Sequence, residues 1–178
     1  RVTARLLPPW LRAHVDALAA VDGTEWVFHG ARVRRTDRRR ALVSLSPDGG
    51  DAHTIREFDL ETKEFVDSAA NGFVLPTAKA QASWIDDDTL LIATDFGPGS
   101  LTDSTYPRSA RLLRRGEALE DAREIMSVPV ELLSIFTGVD RTPGFERAVI
   151  VEAIDFYNSR TWIRELQVTP DGVAEADD

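Results

Sequence analysis

A strand–turn–strand–turn–strand pattern runs through Arg40–Val66, RALVSLSPDGGDAHTIREFDLETKEFV, and few folds accommodate it. Ala41–Ser46 is rich in small and branched residues that suit a pleated surface. Pro47-Asp48-Gly49-Gly50 breaks the run, because proline fixes φ and glycine accepts positive φ. His53–Leu60 is a second extended run, Glu61–Glu64 a polar connector, and Phe65-Val66 opens a third. That pacing predicts an antiparallel meander.

With Trp26–Val33 placed in front, the unit has four strands, the size of one propeller blade. Two further units follow. The second takes Ala80–Ile85, the nearly all-apolar Thr89–Thr94, Arg108–Arg115 and Arg123–Val128. An apolar run of that length reads as a strand buried on both faces. The third takes Glu131–Thr137, Arg147–Asp155, Arg160–Val168 and at most a weak strand within Val173–Asp178, after the turn Thr169-Pro170-Asp171-Gly172. The second strands begin near Ala41, Leu90 and Ala148, about 50 and about 58 residues apart, which suits blade-type repeats with variable loops. A sandwich with strands every 8–12 residues would give much the same pattern. The predicted class is all-β, a partial propeller of about three four-stranded antiparallel blades, roughly 24–67, 73–128 and 130–178. Residues 1–13 form a divergent lead-in. Pro8-Pro9 is expected to break any helix there, with His14–Ala20 forming a short helical turn.

Composition removes several functions. The net charge is −9 and the pI about 4.9, which argues against wholesale nucleic-acid binding. There is no cysteine, so disulfides, thiolate zinc sites and cysteine nucleophiles are excluded. A reducing cytoplasm fits that usage. No apolar run approaches the roughly 18–20 residues that span a bilayer, so no membrane association is expected. The arginine-rich Arg32–Arg40 reads as the solvated rim of a hairpin with Thr36-Asp37 near its tip.

Catalytic motifs are missing. No G-x-S-x-G elbow occurs, and the histidines are His14, His29 and His53. His53 sits in a hairpin beside Asp51, with no recognisable serine partner. Asp95-Phe96-Gly97 spells the magnesium-binding triplet of protein kinases, but the other kinase motifs are lacking. Asp86-Asp87-Asp88 lacks the alternating spacing of a calcium loop and reads as a turn. Glu57 and Asp59 share one face of a strand, read as an outward face. Trp26, Trp84, Trp162, Phe58 and Phe73 read as packing residues. No metal or cofactor is expected.

Four stretches carry a resemblance: Val15–Phe28, Arg40–Val66, Ser83–Arg108, and Asp140–Arg147 with Ala153–Ser159. The chain resembles the propeller domain of prolyl oligopeptidase-family serine peptidases, especially bacterial members. The resemblance implies a parent with a propeller of about seven blades. That propeller caps an α/β-hydrolase domain whose Ser-Asp-His triad cleaves short peptides, often after proline. The propeller would restrict and guide peptides to that domain. No triad motif falls in this sequence, so no catalytic residue is carried over and the chain alone is expected to be inactive. Ser68–Asn71 appears as an insertion before Gly72-Phe73; residues 1–13, Glu131–Thr137 and Val168–Asp178 also depart from the family. The resemblance implies a fragment of a longer peptidase, with that hydrolase domain and peptides as partners. The long loop Asp95–Pro107, with two Gly and two Pro, is the expected contact surface, with Phe96, Tyr106 and Arg108 as its candidate residues. The alternative is a stand-alone interaction module that self-associates as a homo-oligomer through open blade edges.

Overall fold

The N-terminal segment folds as a helix where the sequence predicts a broken lead-in. A computed structural model describes residues 9–143, 145–169 and 172–175. Within it, α1 spans Pro9–Asp22. Pro9 opens this helix instead of breaking it: at the first turn its missing N–H costs nothing and its φ already suits a helix. Gly23 ends it at φ +67, with its N–H and that of Thr24 both donated to the Ala19 carbonyl. Leu11, Val15 and Leu18 recur at helical spacing and form one apolar stripe.

That stripe covers a five-stranded antiparallel sheet. Its strands are β1 (Val27–Val33), β2 (Arg40–Ser46), β3 (His53–Asp59), β4 (Glu64–Phe65) and β5 (Val74–Ala78). Together with α1 they make up the first of two units, 1–78. Val43, Leu45 and Phe58 face the helix, flanked by Trp26, Phe28, Leu60 and Phe65. The predicted pacing of β1 to β4 matches within a residue or two at each strand end. One boundary differs. Val74–Ala78, assigned by sequence to the second unit, hydrogen-bonds to β3 in the first sheet. β4 and β5 are two pieces of one outer strand. Glu57 joins them: its carbonyl accepts the Val66 N–H at 2.9 Å and its N–H donates to the Phe73 carbonyl at 2.8 Å. Residues 67–72 loop out between these bonds, where the sequence suggested an insertion.

Glu57 corrects a second expectation. Its side chain is fully buried, not outward-facing. One carboxylate oxygen accepts the Phe73 N–H at 3.0 Å and the other lies 3.6 Å from Arg40, which also pairs with Asp59 at 3.1 Å. The arginine-rich rim is likewise matched by acids: Arg34 pairs with Asp37 at 2.6 Å, and Arg39 pairs with Glu61.

The second unit, 79–178, holds two four-stranded antiparallel sheets. One contains β6 (Gln81–Trp84), β7 (Thr89–Ala93), β8 (Ser109–Arg114) and β9 (Arg123–Ser127). The other contains β10 (Ser134–Asp140), β11 (Arg147–Ala153), β12 (Ser159–Thr169) and β13 (Gly172–Glu175). In each, the strands pair in sequence order. Every residue of β7 is buried, as its unbroken apolar run requires. β10 begins three residues later than the predicted Glu131 and runs to Asp140. Of the predicted turn Thr169–Gly172, Pro170 and Asp171 lie outside the described residues, as do residues 1–8, Gly144 and 176–178.

The two sheets of this unit pack face to face. Leu91, Ala93, Ala110 and Leu112 of one meet Ile135, Ala148 and Ile150 of the other, with Ile85 and Val128 between. Polar ties fix the stacking. The inner edge of β10 donates the Ile135 N–H to the Pro107 carbonyl at 3.0 Å and the Thr137 N–H to the Gln81 side chain at 2.9 Å. The Arg141 guanidinium donates to the carbonyls of Trp84 and Ile85. Trp84, Phe58 and Phe73 are buried as expected, but Trp162 is half exposed, because it lies on β12, toward the outer side of its sheet. The α1 helix aside, the described chain is dominated by strand, and no barrel closes.

Candidate functional site

The loop that connects β7 to β8 is built by local polar chemistry. Asp95 accepts the Gly97 N–H and the Ser100 hydroxyl, each at 2.8 Å, while the Ser100 oxygen accepts the Phe96 N–H at 2.8 Å. Gly97 and Gly99 take φ of +101 and +81, which the tight turn demands and which only glycine adopts cheaply. Asp95 Oδ1 thus closes the turn that its own residue opens. Among the described residues no group of three histidines or carboxylates is placed to hold a metal ion.

Beyond that turn the chain makes a small hairpin with Leu101 bridged to Pro107. Thr102 anchors it: its N–H donates to the Tyr106 carbonyl at 2.9 Å and its hydroxyl to the Leu133 carbonyl at 2.9 Å. The Asp103 N–H reaches the Val130 carbonyl at 2.8 Å. A Gly- and Pro-rich loop is therefore held in one shape against the β9–β10 connection.

The three residues chosen from the sequence have different surroundings. Phe96 lies under the Arg111 guanidinium, 4.1 Å from the ring centroid. Tyr106 lies under the Lys79 ammonium at 3.8 Å, and the same ammonium donates to Thr105 at 3.1 Å. Such cation–π pairs contribute about 0.5–1 kcal/mol at exposed sites. Arg108 turns inward: it donates to the carbonyls of Val128 at 3.0 Å and Gly99 at 3.2 Å. Its described bonds staple the loop to β9, whereas Phe96 and Tyr106 present aromatic rings with a cation on each.

Sequence reasoning missed the cations Lys79 and Arg111, because neither is adjacent to its ring in the chain. It also missed a second aromatic element at the same end of this unit. The β11–β12 turn is held by Asp155, whose carboxylate accepts the N–H groups of Tyr157 at 2.7 Å and Asn158 at 2.8 Å and the Asn158 side-chain amide. These bonds hold the Asp155 carboxyl below the usual carboxylate range. The turn projects Phe156 and Tyr157, 84% and 96% exposed. The signal was the Asp-x-x-Asn turn around two aromatic residues. The strand ends place this turn, the β9–β10 connection and the β7–β8 loop on one end of the unit.

The histidines form no such cluster. His53 stacks on His29 at 4.7 Å and its Nδ1 lies 3.0 Å from the Asp51 carbonyl, while His14 meets the edge of Phe58. These contacts explain them as packing and turn residues.

No family model matches the chain. An uncharacterized peptidase of Sinorhizobium fredii is 33% identical over 160 residues, 89% of this chain and 21% of that protein. An uncharacterized peptidase of Rickettsia prowazekii is 29% identical over 162 residues, 85% of this chain and 22% of the other. Among solved structures, a post-proline cleaving enzyme from Rickettsia typhi aligns with a TM-score of 0.79 and 28% identity, over 90% of this chain and 24% of that one. The chain thus spans about a fifth of the length of the curated relatives it matches. No helix among the described residues is long and apolar enough to cross a membrane.

Proposed function

We propose that this chain, which belongs to the prolyl oligopeptidase family, is a non-catalytic propeller portion of a peptidase and restricts and guides the peptides that reach its chemistry. On this reading the three antiparallel sheets are successive blades. The observation that carries it is the face-to-face stacking of consecutive four-stranded sheets, in a chain that aligns along most of its length with a post-proline cleaving enzyme. The physical means is steric: a ring of blades leaves a narrow axial channel that a folded chain cannot enter. The loop end with Phe96, Tyr106, Phe156 and Tyr157 supplies the contact surface, since rigid aromatic rings grip extended peptides at low entropic cost. Peptides, and a hydrolase domain in the longer protein, are the partners of this reading.

The test is peptide hydrolysis by a full-length peptidase carrying this segment. Replacing Phe96 and Tyr106 together by alanine is expected to change kcat/KM for proline-containing peptides several-fold. Unchanged kinetics would remove the contact role from this loop.

A further inference from the structure

The β7–β8 loop end carries cations in two conditions. Arg111, over the Phe96 ring, is balanced by Glu124 at 3.4 Å. Lys79 and Arg108 are not balanced. Gln81 pairs with Ala93, so Lys79, just before β6, lies at the end of the sheet where β7 runs into this loop. Its ammonium rests over Tyr106 and donates to the Thr105 hydroxyl, while Arg108 donates to two backbone carbonyls. Among the described residues neither cation has a carboxylate within 4.0 Å, the exposed Asp103 and Glu131 of this end included. Only Lys63 and Lys79 of the 21 basic side chains are lysines, and the chain has 30 acids to pair with them. A partly buried lysine left without an acid is therefore not short of partners in the sequence; the loop keeps them away.

The loop holds a costly backbone to make this arrangement. Thr105 has φ +62, a left-handed value that a β-branched residue adopts only when its neighbours enforce it. Here the Thr105 N–H donates to the Thr102 carbonyl at 2.9 Å and the Tyr106 N–H to the Thr102 hydroxyl at 3.4 Å. Turned this way, Thr105 offers its hydroxyl and Tyr106 its ring to the same ammonium. An ammonium has three N–H donors. One goes to Thr105 and the ring takes the charge on another side, which leaves a donor and a net positive charge for a ligand. The complement is an anion carried on an extended, partly apolar chain. We propose that Lys79, seated on Tyr106, binds the carboxylate of a peptide, with Arg108 adding to the local positive field. This rests on the reading of the chain as a peptide-guiding segment, and it names the chemistry that the segment favours.

The experiment measures KM and kcat of a full-length peptidase carrying this segment on two matched peptide pairs. One pair compares a free acid with an amide at the C-terminus; the other, amidated throughout, compares glutamate with glutamine. The carboxylate form in at least one pair is expected to have a KM about three- to fivefold lower at unchanged kcat, and the pair that shows it names the source. The advantage is expected to fade at about 1 M salt, where screening acts within about 3 Å. Lys79→Met is expected to abolish it and Lys79→Arg to retain it in part. Arg35→Ala, which removes an exposed charge from the β1–β2 hairpin, is expected to leave it intact. Equal KM within both pairs, or an advantage that survives Lys79→Met or high salt, would overturn the inference. If the amides then still respond to replacement of Phe96 and Tyr106, the guiding role stands without a carboxylate preference. If no peptide responds to any of these replacements, both readings fall.

Discussion

Gly72 closes the excursion that splits the outer strand of the first sheet, and Gly72→Ala tests whether that excursion is a built element. A Cβ added at Gly72 would lie 2.1 Å from the Val66 carbonyl oxygen, 2.6 Å from its carbon and 2.8 Å from the Val66 side chain. Relief to ordinary contact requires a backbone shift of about 1 Å. The atoms that must move are already engaged. The Val66 N–H is bonded to Glu57, the Gly72 N–H to the Asp67 carbonyl at 2.8 Å, and the Phe73 N–H to the buried Glu57 carboxylate. Weakening two of these at about 1 kcal/mol each, with the Phe73 bond made to a charged group, gives a loss of about 2–3 kcal/mol. With a urea slope of about 2 kcal/mol/M, the unfolding midpoint is expected to fall by about 1–1.5 M. Gly138→Ala is the control, because no atom stands near its Cβ position; it is expected to leave the midpoint within about 0.3 M. A Gly72→Ala midpoint equal to wild type would refute the reasoning, since the carbonyl would then have to yield at no cost.

Two further outcomes follow from the polar contacts. Asp37, held by the Arg34 side chain and then by the Arg39 N–H, has its pKa lowered to about 2. Its stabilising effect is therefore complete above the ordinary carboxylate value near 4 and is lost as pH falls from there through about 2. Carboxyl carbon NMR should place its titration near 2, and Arg34→Ala should move it upward; a wild-type titration near 4 would contradict the pairing. Arg108→Ala removes two bonds to the Val128 and Gly99 carbonyls. The loss of about 1–2 kcal/mol is expected to speed hydrogen exchange of the loop amides about tenfold. Unchanged exchange would mean that Arg108 does not staple the loop.

Much of the strand framework was legible because its signals are local. Pro-Asp-Gly-Gly between β2 and β3 and the unbroken apolar run of β7 each determine an element without reference to the rest of the chain. Features that depend on what covers a face were not legible. Alternation placed Glu57 and Asp59 on one face, but only the tertiary structure shows that the Glu57 end is fully buried while Asp59 keeps some exposure. Pro9 has two meanings, breaker in a helix interior and starter at its first turn, and the stripe Leu11, Val15, Leu18 decided between them. β5 was assigned to the second unit because the two-residue β4 has no period to extend, and its continuation in β5 lies beyond a looped-out segment. At the candidate site, the Gly and Pro content of the β7–β8 loop was visible in the sequence. The cations over Phe96 and Tyr106 were not, since Arg111 lies on the following strand and Lys79 precedes β6.

The central claim is that these residues shape access to a reaction whose catalytic groups lie elsewhere. It is tested most directly by measuring hydrolysis of a proline-containing chromogenic peptide, with labelling by a fluorophosphonate serine probe. The measurement compares this chain with a polypeptide carrying it at the full length of its peptidase relatives. Turnover and labelling are expected for the full-length protein and neither for the 178-residue chain. Turnover and serine labelling by the chain itself would contradict it.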